Sequence, residues 1–542
     1  MNEQEIAIGM SNSAGQMPLG PQFAQDGFTF AGARPDAEAR SFHGIQLLKW
    51  AVSFPAMLAV SLVGRVFYQG RSFVIDPDVW WHIKTGQNIL ATHHWPTTDP
   101  YSFTIAGNPW LAYEWLGDVA IGFVARWGLQ ALAALLIALA SIVMLAIYYY
   151  ATLRSGNSKA GFVPAGLLCS LAFASFNLRP QMFGYIFLVL TLIALEKFRQ
   201  GSERALWFLP PLFLIWINTH GSWVIGLGVF LLTIACGLFE FQKGSVEARR
   251  WTGRQRVQLE LAFLASLAML PLTPYGAELA AFPFEVAFKH PLQVASIQEW
   301  KPMPLDLPGG KLFLAIVALF FILQFIFHFT FRLEEWLLAF GGAAMAFLHI
   351  RFLLLFVPFV APLFAVMLAR WMPRYERKKD KLVINGVLIS AVATAMFWYF
   401  PSRAALERIV EGDFPVGAVN YIRKHPLSGP VFNAYGFGGY LIAALPEQRV
   451  FIDGRSEPYE SDGVLSDYLQ ITELKPSAFT LLEVYGIRAC LLEQEQALVT
   501  VLRQMPEWRQ VYSDSTSVLF VRELAVAARS IGTEKQKPAN KE

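Results

Sequence analysis

Eleven apolar stretches, each close to the length that crosses about 30 Å of hydrocarbon, constrain this chain more than any motif does. They lie near 44–66, 130–151, 160–177, 181–199, 205–219, 222–241, 257–274, 311–331, 333–349, 352–370 and 382–400. Inside a bilayer the backbone has to satisfy its own hydrogen bonds, so segments of this kind fold as helices. The composition agrees: 55% of the 542 residues are hydrophobic and only 16% are charged, too apolar for an ordinary soluble protein. The expected fold class is an α-helical polytopic membrane protein with about eleven transmembrane helices and long outer loops. A small C-terminal α/β domain should follow.

Charge placement orients the helices. With the amino terminus inside, the inner loops hold seventeen Lys and Arg, whereas the outer loops, longer in total, hold nine, as the excess of basic residues on the inner side requires. This reading makes 1–43 a disordered inner tail, 44–400 the transmembrane domain, 401–530 an outer α/β domain and 531–542 a second disordered tail. Two outer segments, 67–129 and 275–310, are too long to be turns. In the tail, "GPVFNAY", "QRVFIDG", "IRACLLE" and "SVLFVRE" read as strands, with helices near 404–424 and 494–504. The net charge of +3 is small and scattered in short clusters, which argues against nucleic acid as a partner. Cys169, Cys236 and Cys490 stand apart and make neither a disulfide framework nor a zinc site. There is no phosphate-binding P-loop, HExxH pair or GxSxG elbow.

Chemistry concentrates in "DPDVWWHIKTG", residues 76–86, just past the first apolar stretch. The run from Val79 is helix-compatible and places Asp78, His82 and Ile89 on roughly one face. Two readings of Asp78 stand side by side: an N-cap favoured by the helix dipole, or a reactive carboxylate. The same segment continues through Asp99, Glu114, Trp115 and Asp118 amid aromatic residues, of which Trp95, Trp110 and Trp127 fit interfacial anchoring. Arg179 in "FNLRPQMFGY" and His220 in "WINTHGSW" fall at tight outer turns, and Arg351 in "LHIRFLLLF" begins an apolar stretch at the outer face; each arginine either reaches headgroups or meets a phosphate, and His220 is either structural or catalytic. Glu299 in "SIQEWKPMP" is either an anchor or part of a closing loop. In "VFNAYGFGGYLIAALPEQRVFIDGRSEPY", the glycines fit a tight strand-to-helix turn, with acceptor binding by Tyr435 and Tyr440 as the alternative.

The order Asp-x-Asp, two aromatics, His82, a helix through Ile89, then "DPYSFTIAG" and an aromatic-rich second helix resembles the first outer loop of membrane glycosyltransferases of the C superfamily. Oligosaccharyltransferase catalytic subunits are the nearest kind, with protein mannosyltransferases and aminoarabinose transferases as broader relatives. The resemblance implies sugar transfer from a polyprenyl phosphate or pyrophosphate to an acceptor on the outer face of a bacterial inner membrane, with 401–530 periplasmic. Asp78 matches the carboxylate that takes the acceptor's proton, and Asp76 the acidic residue before it. Departure of a phosphate at headgroup depth calls for cations, and the candidates are Arg179, Arg351, Lys84, His82 and His220. Candidates for the acceptor or substrate are Glu114, Trp115, Glu299, Tyr435 and Tyr440. The partners implied are the lipid-linked donor, a glycan, lipid or protein acceptor, and membrane lipids. A divalent cation, Mg or Mn, is also implied, with Asp78 and Glu299 as its candidate ligands. The acidic pair expected near Arg179 is missing, as is a Trp-Trp-Asp segment for peptide recognition.

Two other functions fit the same scaffold. One is a non-catalytic assembly or glycan-binding protein of a surface polysaccharide pathway; the other is a transporter. Charged residues cluster at the ends of the apolar stretches rather than midway, which suits an interfacial reaction better than a transport path.

Overall fold

The computed structural model describes residues 46–71, 76–289 and 291–523; both tails assigned to disorder, 1–43 and 531–542, lie outside them. Contacts divide the chain at Ala51, and the architecture below belongs to the unit that begins at Val52. In chain order its principal helices are α1 (Phe54–Gly70), α2 (Val79–Thr92), α3 (Trp115–Val124), α4 (Leu129–Ser155), α5 (Ser158–Leu171), α6 (Gln181–Arg199), α7 (Leu209–Ile217), α8 (Trp223–Cys236), α9 (Gly253–Met269), α10 (Pro308–Phe327), α11 (Leu333–Leu348), α12 (Leu353–Ala369), α13 (Leu382–Trp398), α14 (Arg403–Asp413), α15 (Val416–Lys424) and α16 (Tyr435–Ala444).

Every apolar stretch contains a helix, but not every helix has a membrane's length. Among the described residues, four are long and apolar enough to cross: Leu129–Ser155, Gln181–Arg199, Pro308–Phe327 and Ile350–Ala369. A fifth passes only as a pair, Leu382–Trp398 with Arg403–Asp413, bent by 59°. The shortfall has local causes. The longest helix in the stretch 205–219 has only nine residues, because Pro210 and Pro211 fix its start within the first turn of α7 and the chain leaves the helix at Asn218.

At one end of the bundle the helices are tied by buried charge. Arg332, at the start of α11, contacts Glu196 of α6 at 2.6 Å and Glu335 at 2.9 Å. Arg154 of α4 reaches Glu335, and Arg199 of α6 reaches Glu334 at 2.7 Å. A charge leaves water at a cost of several kcal/mol, recovered only if its partners are well placed, so this lattice fixes how α4, α6 and α11 meet. The basic turn after α12 joins the same end, where Asp380 accepts from the Phe54 backbone at the start of α1.

At the opposite end the first long loop and the C-terminal segment share their cores. Trp81, Tyr101 and Trp110 of the loop are buried with Phe414, Phe437, Leu491 and Leu519, while Ile105 is buried with Phe432, Phe451 and Phe520. The C-terminal strands β1 (Val431–Asn433), β2 (Ala489–Glu493), β3 (Trp508–Ser513) and β4 (Ser517–Arg522) form a sheet in the order β1-β2-β4-β3; only the β1–β2 pair is parallel. Two features depart from the sequence reading. "QRVFIDG" is not a strand of this sheet; Val450 makes a single parallel bridge to Ser102 of the first long loop. Strand β3, in which only Trp508 is buried and no apolar alternation announces the element, is absent from the sequence reading. The glycines of "YGFGG" also lie inside α16, not in a turn. The three cysteines are buried and free.

Arg455 locks the two segments together. It is 1% exposed, contacts Asp453 at 2.6 Å and Asp99 at 2.7 Å, and lies over the rings of Tyr101 and Trp110. At the other end of the bundle, Arg332→Ala leaves Glu196 buried without its cation and Glu335 with Arg154 alone, and is expected to cost about 3–5 kcal/mol. Thermal unfolding in detergent should show the loss, and a melting temperature equal to that of the unaltered chain would count against the role given to this lattice.

Candidate active site

Asp78 occupies the N-cap position of α2, yet its side chain makes no capping hydrogen bond. The start of the helix is shaped by Asp76 instead, whose Oδ1 accepts from the Asp78 backbone N–H at 2.9 Å. The Asp78 carboxylate is thereby free to point away from the helix, towards Arg179, whose Nη2 stands 3.1 Å from Oδ2. The same guanidinium meets Asp76 through Nε at 2.8 Å and Glu299 through Nη1 at 3.3 Å. On the other side Asp78 abuts the backbone of Gly454, where an added Cβ would fall 1.7 Å from Oδ1. Glycine is required there because any side chain would displace the carboxylate. Burial pushes the Asp78 carboxyl up to about 7; Arg179 pulls it down, but the neighbouring Asp76, Glu299 and Asp453 oppose that pull.

These groups border a cavity of about 470 Å³. Asp78, His82, Glu114, Arg179, His220, Glu299, Arg351 and Tyr435, all singled out in the sequence, line it. The second long segment contributes Glu299 and Trp300, held in place as the Ile350 N–H donates to the Lys301 carbonyl at 3.0 Å. Arg351 stacks on the Trp300 ring with 4.1 Å to its centroid. Arg179 uses its Nε and both Nη atoms on carboxylates, whereas no carboxylate within 4.0 Å of Arg351 is found among the described residues. Arg351 is therefore the better-disposed group for an incoming anion.

A second constellation runs along the wall. His82 Nδ1 lies 2.6 Å from Asp118 Oδ1, and His82 Nε2 lies 3.8 Å from Glu114 Oε2. Glu114 Oε1 then stands 3.3 Å from His220 Nε2, and His220 Nδ1 is 2.8 Å from the Ser222 hydroxyl. The pairing of His82 with Asp118 depends on α2 and α3 crossing closely, which Gly86 permits: a Cβ there would meet the Asp118 carbonyl oxygen at 1.9 Å. Burial, reinforced by Arg179 and His220, lowers the His82 pKa well below the usual range, and burial with Arg351 lowers that of His220 to about 3. Both imidazoles are thus neutral at pH 7, and the positive charge first expected of them falls to the arginines. Burial, with Glu457 and Asp78 nearby, raises Glu114 to about 8, and burial with Glu114 raises Asp118. Asp118 is not among the site residues that the sequence points to, because its partnership with a histidine 36 positions away has no local signature.

Other expected residues sit elsewhere. Lys84 is two positions past His82, about 200° around the helix, and does not line the cavity. The Trp115 indole N–H donates to Asn218 at 2.8 Å, fixing the turn before His220. Tyr440, five positions past Tyr435, packs on Trp80 and Phe414. Asp76 does not line the cavity and acts through its contacts with Arg179 and the Asp78 backbone. Tyr113, Gln293 and Glu457 line the cavity without having been expected; the Tyr113 hydroxyl lies 3.5 Å from Glu457, so first loop, second segment and C-terminal segment all reach it.

The residues do not fit the divalent ion that the resemblance implies. Asp76, Asp78 and Glu299 already share a guanidinium, at 2.8, 3.1 and 3.3 Å, so their common focus is occupied by a side-chain cation. No group of three or more His, Cys, Asp or Glu placed to hold a metal occurs among the described residues.

No protein-family model matches the chain, and no curated protein matches it in sequence. Solved structures do. The apo oligosaccharyltransferase of Archaeoglobus fulgidus is 12% identical with a TM-score of 0.47, over 80% of this chain and 69% of that one. AglB from the same organism, in complex with an inhibitory peptide and a dolichol-phosphate, gives 12%, 0.47, 86% and 74%. ArnT from Cupriavidus metallidurans bound to undecaprenyl phosphate gives 14%, 0.44, 90% and 99%.

Gly454→Ala forces the Asp78 carboxylate aside, and overpacking of this kind costs about 1–3 kcal/mol. The variant should unfold at lower temperature, and its structure should have Asp78 parted from Arg179; an unmoved carboxylate would contradict the contact.

Proposed function

We propose that the chain is an inverting glycosyltransferase that moves a sugar from a polyprenyl phosphate or pyrophosphate to an acceptor. The observation that carries this reading is the pairing, across one cavity, of a carboxyl near pKa 7 at Asp78 with an arginine, Arg351, that has no carboxylate within 4.0 Å among the described residues. The acceptor's heteroatom attacks the anomeric carbon and its proton passes to Asp78. The bond from that carbon to the phosphate oxygen breaks with its electrons going to oxygen, and Arg351 stabilises the charge that develops. Attack from the face opposite the phosphate inverts the anomeric centre, and no covalent enzyme intermediate forms. Glu114, with a pKa of about 8, carries a proton at pH 7 and can donate a hydrogen bond to a sugar or acceptor oxygen.

In this proposal 44–400 is the membrane part, in a bacterial inner membrane with the amino terminus cytoplasmic. Residues 401–530 are a periplasmic element that closes one wall of the cavity and bears on acceptor choice through Tyr435 and its neighbours. Partners are the lipid-linked donor, a glycan, lipid or protein acceptor, and the surrounding lipids.

Asp78→Asn should reduce transfer from a labelled polyprenyl phosphate donor by about 10²–10⁴-fold while the protein stays folded. Unchanged turnover would remove Asp78 from the reaction, and surface glycan retained in cells carrying this variant would favour the assembly-protein alternative. Because Asp78 must be ionised to take a proton, transfer should rise as pH increases through about 7. Glu114, which must stay protonated to donate, should bring the rate down again above about 8. A flat profile would refute both assignments. Arg351→Ala removes a charged hydrogen-bond partner worth about 1.5–3 kcal/mol. Donor binding should weaken accordingly, with Asp78 titrating much as before; donor affinity equal to the unaltered chain's would exclude Arg351 from the phosphate site.

A further inference from the structure

A side chain that meets three carboxylates at once is seldom there to bind something else. Arg179 presents Nε to Asp76, Nη2 to Asp78 and Nη1 to Glu299, one carboxylate to each nitrogen. Its position is itself braced. The Asn177 amide donates to the second oxygen of Asp76 at 3.1 Å, Gln181 donates to Asn177, and Pro180, directly after Arg179, packs against Gly117 of α3, where a Cβ would meet it at 2.6 Å. Two aspartates and a glutamate, oxygen donors only, are the ligand class of a hard divalent ion. Here their focus is filled by a planar cation that is covalently attached and always charged.

We infer that the Arg179 guanidinium is the resident cation of this site, holding Asp76, Asp78 and Glu299 together as a divalent ion would, so that the cavity works without an added metal. The substitution has a chemical consequence. Arginine brings a single positive charge spread over four atoms, where a metal ion would bring two concentrated on one. The cluster stays net negative, and Asp78 keeps the proton affinity that a metal ligand would lose. A site of this kind gives up Lewis acidity and gains a stronger Brønsted base, which suits an acceptor whose proton has to be removed. That consequence rests on the transferase reading; the inference about the cation does not.

The test is a titration of the full-length chain in detergent with Mn²⁺, followed by electron paramagnetic resonance of the free ion. The unaltered chain should take up no Mn²⁺ that Glu299→Gln or Asp76→Asn removes. Arg179→Ala, which leaves the three carboxylates without their cation, should bind Mn²⁺ at least about tenfold more tightly than the unaltered chain, close to 1.4 kcal/mol. Adding Glu299→Gln to that variant should abolish the gain. Uptake of Mn²⁺ by the unaltered chain that Glu299→Gln abolishes would overturn the inference, as would a folded Arg179→Ala protein with no gain. Should Arg179→Ala fail to fold, the unaltered chain and its two carboxylate variants decide the matter alone. None of these measurements needs turnover, so an absence of sugar transfer would defeat the proposed function and leave this result standing.

Discussion

The site depends on one guanidinium held among three carboxylates. Arg179 comes from a short turn between helices, Asp76 and Asp78 from the first long loop, and Glu299 from the second. Each carboxylate loses solvation as it approaches, and only a shared cation makes the approach affordable. Through this contact three segments distant in sequence take up fixed positions around a cavity, and α2 begins where Asp78 faces inward. The stacking of Arg351 on Trp300 follows from it, since Trp300 is carried by the stretch that Glu299 anchors.

Around this centre the structure separates charge that holds from charge that acts. The Arg332 lattice at the far end of the bundle, and Arg455 with Asp99 and Asp453, have their partners close by and little exposure. Beside the cavity the balance differs. Asp78 and Glu114 are pushed towards neutrality by burial, and His82 and His220 are kept neutral by the same burial with arginines near. Groups whose protonation is poised in this way are the ones that move protons.

Much of this was legible in the residues. The helix after Asp78 follows from an uninterrupted run with apolar spacing of 3.6, and the apolar stretches each yield a helix because backbone bonding leaves them no alternative. The turns that carry Arg179, His220 and Arg351 were recognisable as short links between apolar stretches, and a charged side chain at such a place has to find a partner. What the residues could not supply was the partner's identity. Whether Arg179 meets a phosphate or three carboxylates depends on contacts across more than a hundred positions, and no periodicity records those. Asp118 with His82, and Val450 with Ser102, were hidden for the same reason. Local signals mark where a helix lies and which way its apolar face turns, but they do not mark which two helices cross at a glycine.

The lock made by Arg455 bears on how the protein is made. Asp99 leaves the ribosome 356 residues ahead of it (455 − 99), which at roughly 5–20 residues per second is a delay of about 20–70 s. Throughout that interval the loop has its acids and indoles in place but no counterpart to cover them. The Asp99 carboxylate and the rings of Tyr101 and Trp110 gain their cation only once Arg455 has been made, so this contact forms late relative to the loop that it holds.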